Sequence, residues 1–415
     1  MGSFATALSG LNAAQSMLQT ISNNLANMNT DGYKDQTLTF GDIYAQATQT
    51  NGAGDPLQTG NGVKVSGTDS NFSEGNLSAT GIASNMALSG NGYFITQGIA
   101  GLPSYTRSGD FTTNSSGYIT TPGGELVMGY PAANGVVNTS AALQGINVSN
   151  GLTSPPVAST TVGITANLDS STAVGGTATA SSVTVYDSLG TPHTLTVSYT
   201  KTAANTWSYS VSIPSTDISG GTGTSTVVGS GTLNFNSDGS MDTSTSTVGA
   251  ISIPTLADGA KSPLALTGPF GTTTTPTITQ TDLASATSAT STDGYASGTL
   301  SSYAIQPNGT VDGTFSSGQT IALGQVAVAN FANNQGLSNV GNNAYQATNA
   351  SGQAVVGVPG TGGNGTVVGG SVEQSNVNIA SEFSNLIVAQ QSYGANAKSI
   401  TTLQQLSQAA LAMIQ

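Results

Sequence analysis

Cysteine is absent from this 415-residue chain and histidine occurs once, as His193. Disulfides and thiolate chemistry are therefore excluded, and neither a zinc site nor a nucleophile–histidine triad has its usual parts. Charge is scarce as well. Only 6% of residues are charged, against roughly 25% in an ordinary globular domain. Six Lys and Arg residues and a net charge of −13 leave no basic patch to displace phosphate counterions, which excludes nucleic acid as a partner. No apolar run is long enough to span a membrane. The N-terminus does not read as a cleavable signal peptide, since it lacks a basic start and Asn12, Gln15, Ser16 and Gln19 interrupt its apolar residues. A cysteine-free, charge-poor surface suits the outside of a cell, so export by a dedicated route is expected.

Polarity comes instead from Ser, Thr, Asn and Gln, and 54 glycines supply turns. With 37% hydrophobic residues and recurring β-branched alternation, the middle of the chain reads as folded β structure. Ser285–Thr292 is the segment closest to low-complexity disorder.

The two ends differ from that middle. Phe4, Leu11, Leu18 and Leu25 form one row, and Ala7, Ala14, Ile21 and Met28 a second row three residues on. This is an a/d seam of period 3.5, suited to packing along another helix. A second apolar stripe runs from Ile379 through Phe383, Leu386, Ile387, Tyr393, Ala397, Ile400, Leu403 and Leu411 to Ile414. As helices these would extend roughly 37 and 54 Å. A chain that starts and finishes in such helices is built to join its neighbours.

Between the ends, Asn29–Gly32 closes the first helix, and Thr48–Gly62, rich in Gly, Asn and Thr, reads as a loop or extended arm. Strand signals follow at Gly92–Thr96, Ser104–Arg107, Phe111–Thr113 and Gly117–Thr120. A composition shift at Gly145–Pro156 marks a boundary. Beyond it, Ser182–Tyr186, a turn at Asp187–Gly190, His193–Thr200 and Trp207–Ile213 make the clearest hairpin set. Thr272–Gly298 reads as a return linker, strands resume at Ser302–Gln306 and Ile321–Phe331, and Gly357–Gly370 reads as a hinge. The expected fold is mainly β with long terminal α-helices, in a nested arrangement. Residues 1–30 with 376–415 form a paired helical assembly domain; 31–145 with 298–375 form an inner β-rich domain and connecting arm; 146–297 form an outer inserted β domain, stacked outward.

A search for chemistry returns little. His193, beside a turn in a strand, reads as a polar face residue. Asn236–Asp242 faintly resembles a calcium loop but has Thr247 at the twelfth position, so a hairpin turn of type I′ at Asp238-Gly239 is the better reading. Steps such as Gly52-Ala53-Gly54 lack a strand–helix setting. Arg107 and Lys34 stand out only because positive charge is rare, as surface residues or as anchors of a defined polar contact. No catalytic, cofactor or metal residue is assigned, and no enzyme is expected.

Ordered motifs at both ends carry a resemblance. Ser9-Gly10-Leu11-Asn12-Ala13-Ala14 precedes Asn23-Asn24-Leu25-Ala26-Asn27, and Thr30, Gly32, Tyr33 and Lys34 complete the first pattern. At the other end stand Val372–Asn378, including Asn376, then Leu386–Tyr393 with Gln390, and Ala395–Lys398 with Asn396. Together with Gly90–Phe94 and Tyr105–Phe111, these stretches resemble the bacterial flagellar rod–hook family of axial proteins. Val183–Gly190 through Trp207 resembles the outer domain of the hook members, and Leu323–Phe331 their returning inner domain. Length and the inserted domain favour a hook over a rod member, although the segment at Thr48–Thr59 is similar to the extension of a distal rod subunit.

The resemblance implies a structural subunit of the hook, self-assembling into a curved tubular polymer that works as a universal joint between motor rod and filament. The seam residues Phe4, Leu11, Leu18, Ile21, Leu25, Met28, Phe383, Leu386, Ile387, Tyr393, Ile400, Leu403, Leu411 and Ile414 would carry assembly, and the helices would order only on incorporation. Phe4 and Leu8 resemble the family's short export signal. Implied partners are further copies of the chain, rod proteins below, a hook–filament junction protein above, a hook cap during growth, and the flagellar export apparatus. A straight distal-rod-like subunit is the near alternative. A secreted β-rich adhesin, supported by Asn/Thr-rich β structure with aromatics expected to be exposed at Trp207 and Tyr209, is the distant one.

Overall fold

The computed structural model describes residues 2–43, 46–50, 56–98, 101–271 and 275–413, with the side chains of 2–3, 46–50 and 56–59 left aside. The chain divides into two compact units. One comprises residues 1–149, 303–313 and 321–415, and the other residues 150–302 and 314–320. Both termini therefore lie in the first unit.

That unit begins with α1 (Gly2–Ala26), a run free of proline that ends where Asn27–Asp31 turns and Gly32 adopts φ +70°. Two strand pairs follow. β1 (Gln36–Asp42) is antiparallel to β4 (Val63–Ser70), and inside them β2 (Gln46–Thr50) is antiparallel to β3 (Pro56–Thr59). The expected loop over 48–62 is thus largely strand in its described part. Pairing through backbone hydrogen bonds in β-tolerant Thr and Gln residues is what the loop reading missed. The segment Thr366–Gly369 likewise corrects the expected hinge, because it pairs with Met86–Ser89. Gly365 allows this: a Cβ there would stand 2.3 Å from the Ser89 carbonyl oxygen.

The main sheet of this unit runs Leu126–Ala133, Tyr93–Gln97, Pro103–Thr106, Ala344–Gln346, Ser338–Gly341 in antiparallel order. It buries Tyr93, Ile95, Tyr105, Met128, Tyr130 and Tyr345, with Phe72 and Phe331 packed against them. Tyr105 meets Phe331 edge-to-face at 4.8 Å, the arrangement aromatic quadrupoles favour.

The second unit is built on Thr177–Tyr186, Pro192–Ala203, Thr206–Pro214 and Ser225–Asn234, an antiparallel meander in chain order. Strict alternation in the second and third strands sends Leu195, Val197, Tyr199, Trp207, Tyr209, Val211 and Ile213 into one core. Trp207 and Tyr209, expected at the surface, are buried. The Trp207 indole N–H donates to Gln280 Oε1 at 2.7 Å, and Tyr209 packs edge-to-face on Phe270. Their polar handles found partners inside, which removes the exposed aromatics that favoured an adhesin.

A three-stranded sheet supplies further core. Val162–Asp169 pairs in parallel with Ile278–Thr281 and antiparallel with Ala286–Thr292. The expected return linker at 272–298 is therefore in good part strand, and so is the low-complexity stretch Ser285–Thr292. Side chains of 286–292 stay mostly exposed, so apolar patterning could not reveal a strand held by backbone and hydroxyl hydrogen bonds. At Asn236–Ser240 a turn forms, with the Asn236 N–H donating to the Ser240 carbonyl. Among its residues only Gly239 has positive φ, so the turn is not of type I′, which needs two such residues.

Candidate functional site

α1 packs against α2 (Ile379–Ala412), whose first turn is capped by the Asn378 side chain accepting from the Ser381 N–H at 3.2 Å. The middle of the second row of the seam is the part that is buried. Ala14 and Ile21 are buried, Ala13 joins them, and Leu11, Leu18 and Leu25 are half-buried. On α2 the inward positions include Glu382, Leu386 and Ala389, then, one heptad on, Asn396, Ile400 and Leu403. Small residues bring the helices close. A Cβ on Gly10 would lie 2.8 Å from Asn396 Oδ1.

Several large seam residues do not enter this contact. Phe4 is 43% exposed, Phe383 49% and Ile387 59%, and Leu8, Met28, Tyr393 and Leu411 are exposed with them. Gln390 is also exposed, and Ile414 lies outside the described residues. The paired helices thus carry an apolar face that their own pairing leaves uncovered. Both helices are formed in the single chain, where ordering only on incorporation was expected.

The signature residues of the N-terminal motif converge just beyond α1. Asn24 is buried and saturated: its Nδ2 donates to Asp35 Oδ1 at 2.7 Å, to the Gln36 carbonyl at 2.8 Å and to Glu382 Oε2 at 3.4 Å. Its Oδ1 accepts from the Tyr33 hydroxyl and the Gln36 N–H. Asn27 and Thr30 close the turn through a 3.2 Å side-chain bond. The Gly32 N–H donates to the Glu373 carbonyl at 2.7 Å. Lys34 Nζ reaches Glu373 Oε1 at 2.6 Å and the Ser73 carbonyl at 2.7 Å. Asn376 binds both ways, accepting from the Asp35 N–H and donating to the Asn71 and Ser73 carbonyls.

Glu373 is the centre of this clasp and is fully buried. Besides Lys34 it holds the Gly75 N–H at 2.8 Å and Arg107 at 3.3 Å, while Arg107 also donates to the Leu88 and Gly90 carbonyls. Burial pulls the Lys34 ammonium below the usual lysine range even though Glu373 opposes it. Burial, reinforced by Asp35 and Glu382, pushes the Tyr33 phenol up to about 12. The two scarce cations are therefore interior anchors and not surface groups. Glu373 stood inside the C-terminal motif, but nothing in the sequence assigned it to both cations. The available signal was that an interior Lys and Arg require a buried acid.

His193 also departs from expectation. It is buried, with Nδ1 3.0 Å from Asp217 Oδ2 and Nε2 3.2 Å from Asp187 Oδ2. Burial alone pulls the imidazole down, but hydrogen bonds and charge from Asp217 and Asp187 outweigh it and hold its pKa above the ordinary histidine value.

Comparison with known proteins agrees with this architecture. The chain is 34% identical over 424 residues to the flagellar hook protein FlgE of Escherichia coli (strain K12), covering 97% of this chain and 98% of that one. It is 30% identical over 455 residues to the flagellar hook protein FlgE of Treponema pallidum (strain Nichols), covering 97% of both. The chain belongs to the flagellar hook protein family. Family models place the members' parts on this structure. The flagellar basal body rod protein model matches residues 4–34, which hold α1 and the N-terminal side of the clasp. The flagellar basal body rod FlgEFG protein C-terminal model matches 368–413, holding Glu373, Asn376 and α2. The flagellar hook protein FlgE/F/G D1 domain model matches 87–166, and the flagellar basal body protein FlaE D2 domain model 158–295. The crystal structure of Helicobacter pylori flagellar hook protein FlgE2 shares the fold, with a TM-score of 0.51 at 15% identity over 72% of this chain and all of that one. Like the rest of the hook family, the chain is a structural protein of the flagellum and not an enzyme.

Proposed function

We propose that this chain is the subunit of the flagellar hook, and that it self-assembles into a curved helical tube coupling the motor rod to the filament as a universal joint. The observation that carries the assembly mechanism is the divided use of the terminal helices. Their pairing consumes the small residues and Ile21, and leaves Phe4, Leu8, Phe383, Ile387 and Leu411 exposed. Burying apolar surface contributes about 25 cal/mol per Å², so neighbouring copies stacking along these faces gain stability in proportion to the apolar area they cover. Contacts that repeat head to tail without closing make a tube.

In this reading residues 1–30 with 376–415 form the assembly domain, 31–145 with 298–375 an inner domain, and 146–297 an outer domain. The clasp on Glu373 ties the assembly domain to the inner one, so that force on the helices reaches the β structure through buried bonds. Outer surfaces of Ser, Thr, Asn and Gly offer exchangeable weak contacts, which a joint that bends while turning requires. Phe4 and Leu8, exposed on the first turns of α1, remain accessible for recognition by the export apparatus before assembly. Rod proteins, a junction protein and a cap are the neighbours this role requires.

Electron microscopy of the full-length chain at raised concentration, beside a chain lacking 1–30 and 376–415, tests the reading. Curved tubes from the first and none from the second are expected. Straight tubes would assign the chain to the distal rod, and tubes from the truncated chain would overturn the terminal-helix mechanism.

A further inference from the structure

The second unit contains a cluster of titratable side chains away from the terminal helices. Asp187 ends the strand Thr177–Tyr186, His193 stands on Pro192–Ala203, Asp217 closes the short 3-10 turn Ser215–Asp217, and Asp258 lies in the segment after Ile251–Ile253. Asp187 and His193 are buried. Each flanking carboxylate has one oxygen engaged by its own loop. Asp187 Oδ1 accepts from the Leu189 and Thr191 N–H groups at 2.8 and 2.9 Å, and Asp258 Oδ1 from the Ala260 N–H at 3.0 Å. Their other oxygens converge on the ring: Oδ2 of Asp187 is hydrogen-bonded to His193 Nε2 at 3.2 Å, and Oδ2 of Asp258 lies 4.0 Å from the same nitrogen. The three ligand atoms lie within 4.8 Å of one another.

We propose that Asp187, His193 and Asp258 form a binding site for a first-row divalent transition ion, with zinc as the working case. A tetrahedral zinc ion with bonds near 2.0–2.1 Å needs ligand atoms about 3.4 Å apart, so Asp258 Oδ2, now 4.0 Å from His193 Nε2, has to approach the ring by about 0.6 Å. Asp217 supplies the other half of the design. It takes the Nδ1–H of His193 at 3.0 Å, which turns Nε2 toward the ion, in the carboxylate–histidine–metal relay that orients ligating imidazoles. On binding, the Nε2 proton leaves to solvent and the ring lone pair takes its place.

Charge points the same way. Three carboxylates surround one imidazole, and among the described residues no Lys or Arg side chain pairs with any of the three. Even a protonated ring leaves negative charge in excess, which a divalent ion would offset. The imidazole selects against calcium and magnesium, which prefer all-oxygen cages. The Asp258 side chain is 27% exposed, which gives the ion an entry path and a water for its fourth position. The role is structural, because the ion would pin the Asp187 turn, the Asp217 turn and the 255–261 segment to one strand.

Because His193 is the only histidine, its ring nitrogens are a single-site reporter in the full-length chain. Titration of ZnCl2 into 15N-histidine-labelled protein at about pH 7.5 is expected to shift the Nε2 resonance, saturating at one ion per chain as counted by equilibrium dialysis. Asp258→Asn, a change at a partly exposed side chain that spares the core, should weaken that binding at least about 10-fold, and Asp217→Asn about 10-fold through loss of ring orientation. Zinc that leaves the His193 resonance unmoved, whether unbound or scattered over the acidic surface, would overturn the proposal. Equal affinity in the Asp258→Asn chain would overturn it as well.

Discussion

At the scale of single residues, the clasp is where this chain concentrates its few charges. Glu373 pairs with Lys34 and touches Arg107 in a buried site. Removing one member of such a group strands the others, which costs about 3–5 kcal/mol. Glu373→Gln should therefore lower the stability of the first unit by about that amount, seen as a lower midpoint in denaturant unfolding. An unchanged midpoint would mean that the two cations find other acceptors. Gly32 is a second sensitive position, because its φ is +70° and a Cβ would stand 2.4 Å from the Ser108 backbone nitrogen. Neither the dihedral nor the backbone contact tolerates a side chain.

Tyr199 gives a pH-dependent test at the same scale. Burial holds its phenol at about 12, above the ordinary 10, and the hydroxyl lies 3.1 Å from Ser181 Oγ. An acid whose folded pKa is raised keeps its proton in the native state while the unfolded chain loses it. Its stabilisation is complete below about pH 10 and is lost as pH rises toward 12. Alkaline unfolding of Tyr199→Phe should accordingly be less steep above about pH 10 than that of the parent chain. Identical slopes would show that Tyr199 is not the titrating group.

Elements respond differently from residues. Gly10 sits mid-helix, where alanine is favoured by about 1 kcal/mol, yet Asn396 occupies the space a Cβ needs. The Asn396 amide is the far end of a flexible side chain and can turn aside, so Gly10→Ala should leave helix pairing nearly intact. Gly10→Leu cannot be accommodated that way and should part α1 from α2, at a cost of about 1–3 kcal/mol. Protection of α1 amides in hydrogen exchange reports the difference, and equal protection in both variants would count against a close crossing at Gly10.

For the whole molecule, the charge balance governs association. Three of the six basic residues, Lys34, Arg107 and Lys201, are buried, so a surface of net charge −13 keeps very few cations to pair across an interface. Copies packed into a tube repel one another, and salt shortens the reach of that repulsion to about 10 Å at 0.1 M. Polymer yield measured by sedimentation should rise between about 0.01 and 0.3 M NaCl. A fall over that range would mean that ion pairs, and not apolar helix faces, hold the tube together.

The seven-residue spacing at both ends, the alternation in Ser182–Ile213 and the motifs around Asn24 and Asn376 determined helix, strand and family from sequence alone, because each is a local pattern whose period reports the face to be buried. Other features depended on distance in space. Nothing local in Ala286–Thr292 marks a strand, since its partner Val162–Asp169 lies more than a hundred residues away and holds it through backbone and hydroxyl hydrogen bonds with no apolar pattern. Nothing near Lys34 names Glu373, or near His193 names Asp258. Burial of Trp207 and Tyr209 was likewise decided by what packs over them. Local periodicity specifies which side chains turn inward, but which groups meet there, and with what charge, is set by tertiary packing.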